Sequence, residues 1–255
     1  MGLGSHEMSE IREAVRSRYA GAAKKIELLP LDSTVGCCQV DGPDCGCAGS
    51  YSSGELNEIG LSDGISLGCG NPTMLASLEP GEIVLDLGSG AGLDVLLSAR
   101  RVAPGGHAYG VDMTDEMLAL ANRNRDRAGV NNATFLRGSI ESIPLPDASV
   151  DVVISNCVIN LAEDKAAVIK EAFRVLRPGG RFAVADMVEL EPLSAELKQR
   201  LDSWAGCISG TVPINEYRAA LVDAGFSEPE FDVHATQSLP GVGKVGSAYI
   251  RARKP

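Results

Sequence analysis

The sequence predicts an α/β chain: a mostly parallel seven-stranded sheet with helices on both faces, preceded by a cysteine-rich segment and followed by a small α+β appendage. Three observations carry this expectation. From residue 82 onward, short apolar runs alternate with helical segments, the signature of βαβ units and a parallel sheet. The run Val150–Ser155 has an apolar core, as expected of a strand covered on both faces. Residues 30–72 are instead rich in Gly, Ser, Asp and Cys, which excludes a regular buried element and points to a functional loop or a linker. A chain of 255 residues with 44% hydrophobic content can bury one large core with an appendage. The expected divisions are residues 1–72, 73–190 and 191–255.

The elements follow in order. Met1 to His6 look like an expression scar and carry no functional argument. Residues 9–28 read as a helix whose apolar face is Ile11, Val15, Tyr19, Ala22 and Ile26. Ile83–Leu87 reads as a strand running into a glycine cluster, and Leu93–Arg101 as the helix after it. A strand over Gly106–Val111 ends at Asp112, and a helix over Asp115–Ala128 has Thr114 as its natural N-cap. Strands are expected at Ala133–Arg137 and Val150–Ser155, a helix at Lys165–Leu176, and a strand at Arg181–Asp186 after the Pro178-Gly179-Gly180 turn. Beyond Glu191 come helices at about 194–207 and 214–224, then strand-like runs Pro229–Ala235 and Val245–Arg253, an antiparallel pair that closes the sheet.

Charge and composition exclude several function classes. With 23 Lys+Arg against 34 Asp+Glu, the net charge of −11 offers no basic face for nucleic acid or for an anionic membrane surface. No apolar run is long enough to span a bilayer, and the N-terminus lacks the pattern of a signal peptide. The seven cysteines are Cys37, Cys38, Cys45, Cys47, Cys69, Cys157 and Cys207. An odd number without a signal peptide argues against a disulfide-stapled secreted protein and for a cytoplasmic one.

Asp86-Leu87-Gly88-Ser89-Gly90-Ala91-Gly92 joins a strand to a helix, and Asp112 ends the next strand about twenty residues on. Glycines let the backbone turn tightly against a ligand, and a carboxylate at that strand end can accept both hydroxyls of a ribose. The D-x-G-x-G-x-G run resembles the first motif of the class I S-adenosylmethionine-dependent methyltransferases, a Rossmann-like fold. Gly138-Ser139-Ile140-Glu141 resembles that family's adenine-side segment, Ser155-Asn156 its fourth strand end, and Arg174 to Gly180 the turn before its fifth strand. The resemblance implies S-adenosylmethionine as cofactor. It implies contacts from Asp86, Gly88, Ser89, Gly90, Gly92, Asp112, Met113, Ile140, Glu141 and Asn156, with Met113 and Ile140 against the adenine.

Three cysteines stand in distinctive contexts: Leu67-Gly68-Cys69-Gly70, Ser155-Asn156-Cys157-Val158-Ile159-Asn160-Leu161, and Trp204-Ala205-Gly206-Cys207-Ile208-Ser209-Gly210. These contexts resemble the arsenic-binding cysteines of arsenite methyltransferases. That resemblance implies trivalent arsenic held by Cys69, Cys157 and Cys207. Soft thiolates suit such an ion and leave its lone pair free. No general base is required, and neither His107 nor His234 reads as one. The resemblance further implies that enzyme thiols supply two electrons by forming a disulfide, with an upstream cysteine taking part and glutathione or thioredoxin clearing it. Cys37 is the candidate, with Cys38 as second choice; Cys45 and Cys47 have no assigned role. The C-C and C-x-C spacings fit a zinc knuckle poorly. The expected partners are arsenite or its thiol conjugates, and the expected state is a monomer. Two alternatives stay open: a methyltransferase of this fold acting on a quinone or sterol, and a non-catalytic thiol-rich metalloid-binding protein.

Overall fold

The computed structural model describes residues 5–27, 51–52, 54, 56, 59, 70–198, 208–227, 229–239 and 242–255. Helix α1 spans Ser5–Glu27. A short α2, Pro72–Leu75, leads into β1, Ile83–Leu87. There follow α3 (Leu93–Arg101), β2 (His107–Asp112), α4 (Asp115–Ala128), β3 (Ala133–Arg137) and β4 (Val150–Asn156). A 3₁₀ turn at Ile159–Leu161 precedes α5, Lys165–Val175. Strand β5, Leu176–Glu191, is followed by α6 (Ala195–Lys198), α7 (Ile214–Asp223), β6 (Glu230–Leu239) and β7 (Gly243–Arg253).

The seven strands form one sheet in the order β3-β2-β1-β4-β5-β7-β6. The first five run parallel, and β7 lies antiparallel to both β5 and β6. Successive side chains on a strand point to opposite faces, and the apolar run of β4 uses both. Val152 and Ile154 join Val84, Ala108 and Ala183 beneath α3, while Val153 joins Leu85, Leu87, Phe182 and Val184 beneath α5 and α7. This is why β4 shows no polar alternation in the sequence.

The element order agrees with expectation, and the departures have local causes. The α1 helix begins at Ser5, inside the segment set aside as a scar. Strand β5 begins at Leu176, where the backbone turns extended (φ −68°, ψ 140°), and it continues past Asp186 because β7 pairs with it as far as Glu191. Thr114 makes no side-chain cap to α4; its backbone N–H and its hydroxyl serve Asp112 instead. Of the helix expected at 194–207, Ala195–Lys198 is observed and 199–207 lies outside the described residues.

Candidate active site

A cleft of about 1020 Å³, solvent at its mouth included, opens at the carboxyl ends of β1, β2 and β4. Strand order reverses there, the crevice where ligands bind in open α/β sheets. Gly88, Gly90 and Gly92 all have positive φ (69°, 49° and 89°), a region that a side chain disfavours. A Cβ on Gly88 would lie 2.4 Å from Val158, and one on Gly92 2.6 Å from Phe135, whereas Gly90 faces open space. The loop is thus pinned at both ends and bare in the middle, where a ligand can approach the backbone.

Asp112 is held from both sides. Gly90 N–H donates to its Oδ2 at 2.9 Å and Thr114 N–H to its Oδ1 at 2.8 Å. Burial raises its pKa, and these bonds oppose the shift. Asp86 lies deeper, and among the described residues no donor meets its carboxylate. Burial, then the charges of Asp94 and Asp112, hold it well above the usual carboxylate range. Among the described residues, Asp86, Asp94, Asp112, Glu141 and Glu163 all line the cleft beside the single cation Arg12, a balance that favours a cationic ligand and disfavours a phosphate. Ser89 Oγ, buried at the same wall, has no hydrogen-bond partner among the described residues. These groups fit a cationic nucleoside such as S-adenosylmethionine.

One side of the cleft carries a network that the sequence did not reveal. Tyr51 O–H reaches both oxygens of Asp94, at 2.8 and 2.9 Å. Asn156 Nδ2 donates to Tyr51 Oη at 3.0 Å and to Gly70 O at 2.7 Å, and Gly70 N–H returns a bond to Asn156 Oδ1 at 3.2 Å. Burial and the Asp94 charge push the Tyr51 phenol well up, so it remains a donor. The opposite side is made by α1, whose Arg12, Val15 and Tyr19 line the cleft. Arg12 forms ion pairs with Glu141 (3.4 Å) and Glu163 (3.6 Å). The amphipathic face of α1 was legible in the sequence, but its target was not.

The structure brings together Asp86, Gly88, Ser89, Gly90, Asp112, Met113, Ile140, Glu141 and Asn156 as lining residues. Gly92 does not line the cleft; it packs on Phe135 at the start of α3. Cys157 is buried beside two lining residues, Asn156 and Val158, in a left-handed conformation (φ 57°), and its N–H donates to Ala185 O at 2.8 Å. Its sulfur is in a disulfide. Cys37, Cys38, Cys45, Cys47, Cys69 and Cys207 lie outside the described residues. His107 is a half-buried strand residue bonded to Thr134, and His234 stacks on Tyr249 at 4.2 Å; neither lines the cleft.

Comparison with known proteins adds independent evidence. Residues 78–227 match a family model described as a methyltransferase domain. The chain is 40% identical to an arsenite methyltransferase of Halobacterium salinarum over 99% of its own length and 69% of the relative's. It is 41% identical to one of Aquipseudomonas alcaligenes, over 64% of this chain and 48% of that relative, so it spans about half of the latter's length. Among solved structures, an arsenic(III) S-adenosylmethionine methyltransferase from Chlamydomonas reinhardtii superposes with a TM-score of 0.65 at 32% identity, covering 79% of this chain and 70% of that one. The acidic cleft at the strand-order reversal, the pinned glycine loop and similarity to one such enzyme over 99% of this chain agree, and the chain belongs to the arsenite methyltransferase family of class I S-adenosylmethionine-dependent methyltransferases.

Proposed function

We infer that the chain methylates trivalent arsenic held by its own thiolates, with Cys69, Cys157 and Cys207 as ligands. One observation supports this more than any other. Gly70, the neighbour of Cys69, is doubly hydrogen-bonded to Asn156, the neighbour of Cys157, and Asn156 lines the cofactor cleft. Gly70 and Cys157 thus both adjoin Asn156 at the rim of the cleft, which supports Cys69 and Cys157 as ligands of one site. The segment after Cys207 supports the third ligand: Val212 O accepts from Glu189 N–H at 3.0 Å, three residues beyond Asp186 on the strand that also receives Cys157.

When bound, S-adenosylmethionine supplies a sulfonium-activated methyl group to the arsenic lone pair and leaves as the neutral thioether. The protein's residues do the rest. Asp112 takes the ribose hydroxyls, Glu141 and the Met113–Ile140 pair the adenine side, and Asp86 with Asp94 the positive end. Three thiolates hold arsenic pyramidal, so the nucleophile and methyl meet already oriented, an advantage that can reach about 7–11 kcal/mol. No proton leaves arsenic, so no general base is needed. Methyl transfer takes arsenic formally to the pentavalent state. Two thiolates restore the trivalent state by giving up two electrons and forming a disulfide, which glutathione or thioredoxin reduces in turn. Cys37, or Cys38, is the proposed upstream partner, and the disulfide state of Cys157 is compatible with such a cycle. Arsenite or its thiol conjugate is the substrate, the chain acts as a monomer, and the cytoplasm is the compartment that keeps such thiols reduced.

The test is mass spectrometry of arsenicals over time, with arsenite, S-adenosylmethionine and thioredoxin or glutathione. Methylated arsenicals are expected from the wild type and none from Cys157→Ser. Unchanged turnover in Cys157→Ser would overturn the thiolate mechanism and favour an organic acceptor.

A further inference from the structure

Asn160 belongs to the S-N-C-V-I-N-L segment, yet it does not line the cleft and the proposed chemistry gives it no task. Its side chain is fully buried. Both of its donor bonds go to one short stretch of β5: Nδ2 to Asp186 Oδ1 at 2.7 Å and to Met187 O at 2.6 Å. Met187 N–H donates to the same Asp186 oxygen at 3.0 Å. Cys157 N–H donates to Ala185 O, one residue before Asp186. The turn carrying Cys157 is therefore fastened at both ends to three consecutive residues, Ala185, Asp186 and Met187.

That fastening has work to oppose. A non-glycine residue at φ 57° is strained, and such conformations persist only where surrounding contacts over-determine them. Asp186 is itself buried at 1% exposure, and its Oδ2 has no hydrogen-bond partner among the described residues, an expensive position for a carboxyl. Lys165, at the start of α5, acts on it electrostatically, and Tyr217 of α7 is packed close enough to feel its charge. Asp186 thus stands where the cysteine turn, the main sheet and the C-terminal helix meet.

We propose that Asp186 and Asn160 form a positioning bracket for the thiol site: Asp186 orients Asn160, and Asn160 holds the Cys157 turn in the conformation that aims its sulfur at the metalloid. This rests on the thiolate reading above. Neither side chain lines the cofactor cleft, although Val158 and Leu161 of the same turn do, so the bracket acts chiefly on thiol geometry. Removing it loosens arsenite capture far more than nucleoside binding. A merely structural role would instead weaken both through partial unfolding.

The test uses the full, reduced chain and titrates arsenite and S-adenosylhomocysteine separately by calorimetry. Asn160→Ala and Asp186→Ala are expected to weaken arsenite binding tenfold or more, with S-adenosylhomocysteine affinity within twofold of wild type. Asp186→Asn keeps an acceptor oxygen toward Asn160 and is expected to retain most of the arsenite affinity. Should an alanine variant fail to fold, Asn160→Ser replaces it under the same criterion. Equal losses for both ligands, or arsenite binding within twofold of wild type in Asn160→Ala, would overturn the bracket. A wild type that binds no arsenite would overturn the thiolate reading itself, and the bracket with it.

Discussion

Asp112 shows how much one side chain decides. Its two oxygens are fixed by Gly90 and Thr114 N–H groups, so its remaining lone pairs point into the cleft without side-chain reorganisation. Asp112→Asn keeps the shape but replaces an acceptor with a donor facing those backbone donors. Loss of charge-assisted bonds of about 1.5–3 kcal/mol is expected, read as at least a tenfold rise in the S-adenosylhomocysteine Kd by calorimetry. Asp186 yields a pH prediction. Burial raises its pKa from 3.8 to about 7. Between those values the folded state holds a proton that the unfolded state has lost. Its contribution to stability is therefore complete below the ordinary carboxylate range and disappears as pH rises through about 7. Denaturant titrations at pH 5 and 8 should show this decline in wild type and a flatter profile in Asp186→Asn. Lys165, lowered by burial to about 8, works in the other direction only above that pH.

At the scale of elements, the glycine loop and α1 make the strongest statements. Gly88 and Gly129 both have positive φ (69° and 62°), but only Gly88 has a neighbour where a Cβ would stand. Gly129→Ala should cost about 1–2 kcal/mol, the intrinsic left-handed penalty. Gly88→Ala adds a clash with Val158 and should cost a further 1–3 kcal/mol or so, with loss of cofactor affinity, measured by urea unfolding and calorimetry. Helix α1 packs Ile11 and Val15 on Leu161, and Ala23 on Met117 and Leu120, which carries Tyr19 across the cleft. Tyr19→Ala should weaken S-adenosylhomocysteine binding severalfold and lower unfolding stability only modestly, because Tyr19 packs in the small clusters under α1 and not in the sheet core. A helix outside the βαβ repeat thus completes a site whose other walls belong to it.

At the scale of the whole molecule, β5 is the meeting place. Gly70 packs on Ala185, the Cys157 turn bonds to Ala185 through Met187, and the strand's far end receives Val212 through Glu189. Segments distant in sequence are seated along one strand tail, beside a cleft made by another part of the sheet. Coupling of thiol state to turnover follows. Incubation without reductant should leave Cys157 in a disulfide and arrest methylation after the available thiols are spent, and added thioredoxin or glutathione should restart it, followed by product mass spectrometry.

Local pattern was sufficient for the alternation of strands and helices, the glycine loop with Asp112, and the cysteine contexts, because each depends on residues near one another in the chain. The parallel core was legible in β4 because a strand covered on both faces has no polar alternation to obscure it. Tertiary structure alone decided what α1 covers, that Tyr51 and Asp94 pair beside Asn156, and that Asn160 finds Asp186. Tyr51 and Asp94 are 43 residues apart and Asn160 and Asp186 are 26 apart, with nothing local to mark either pairing. Burial favoured those contacts: a polar group removed from water is costly when left unpaired, and which partner is available is set by how the sheet and helices pack.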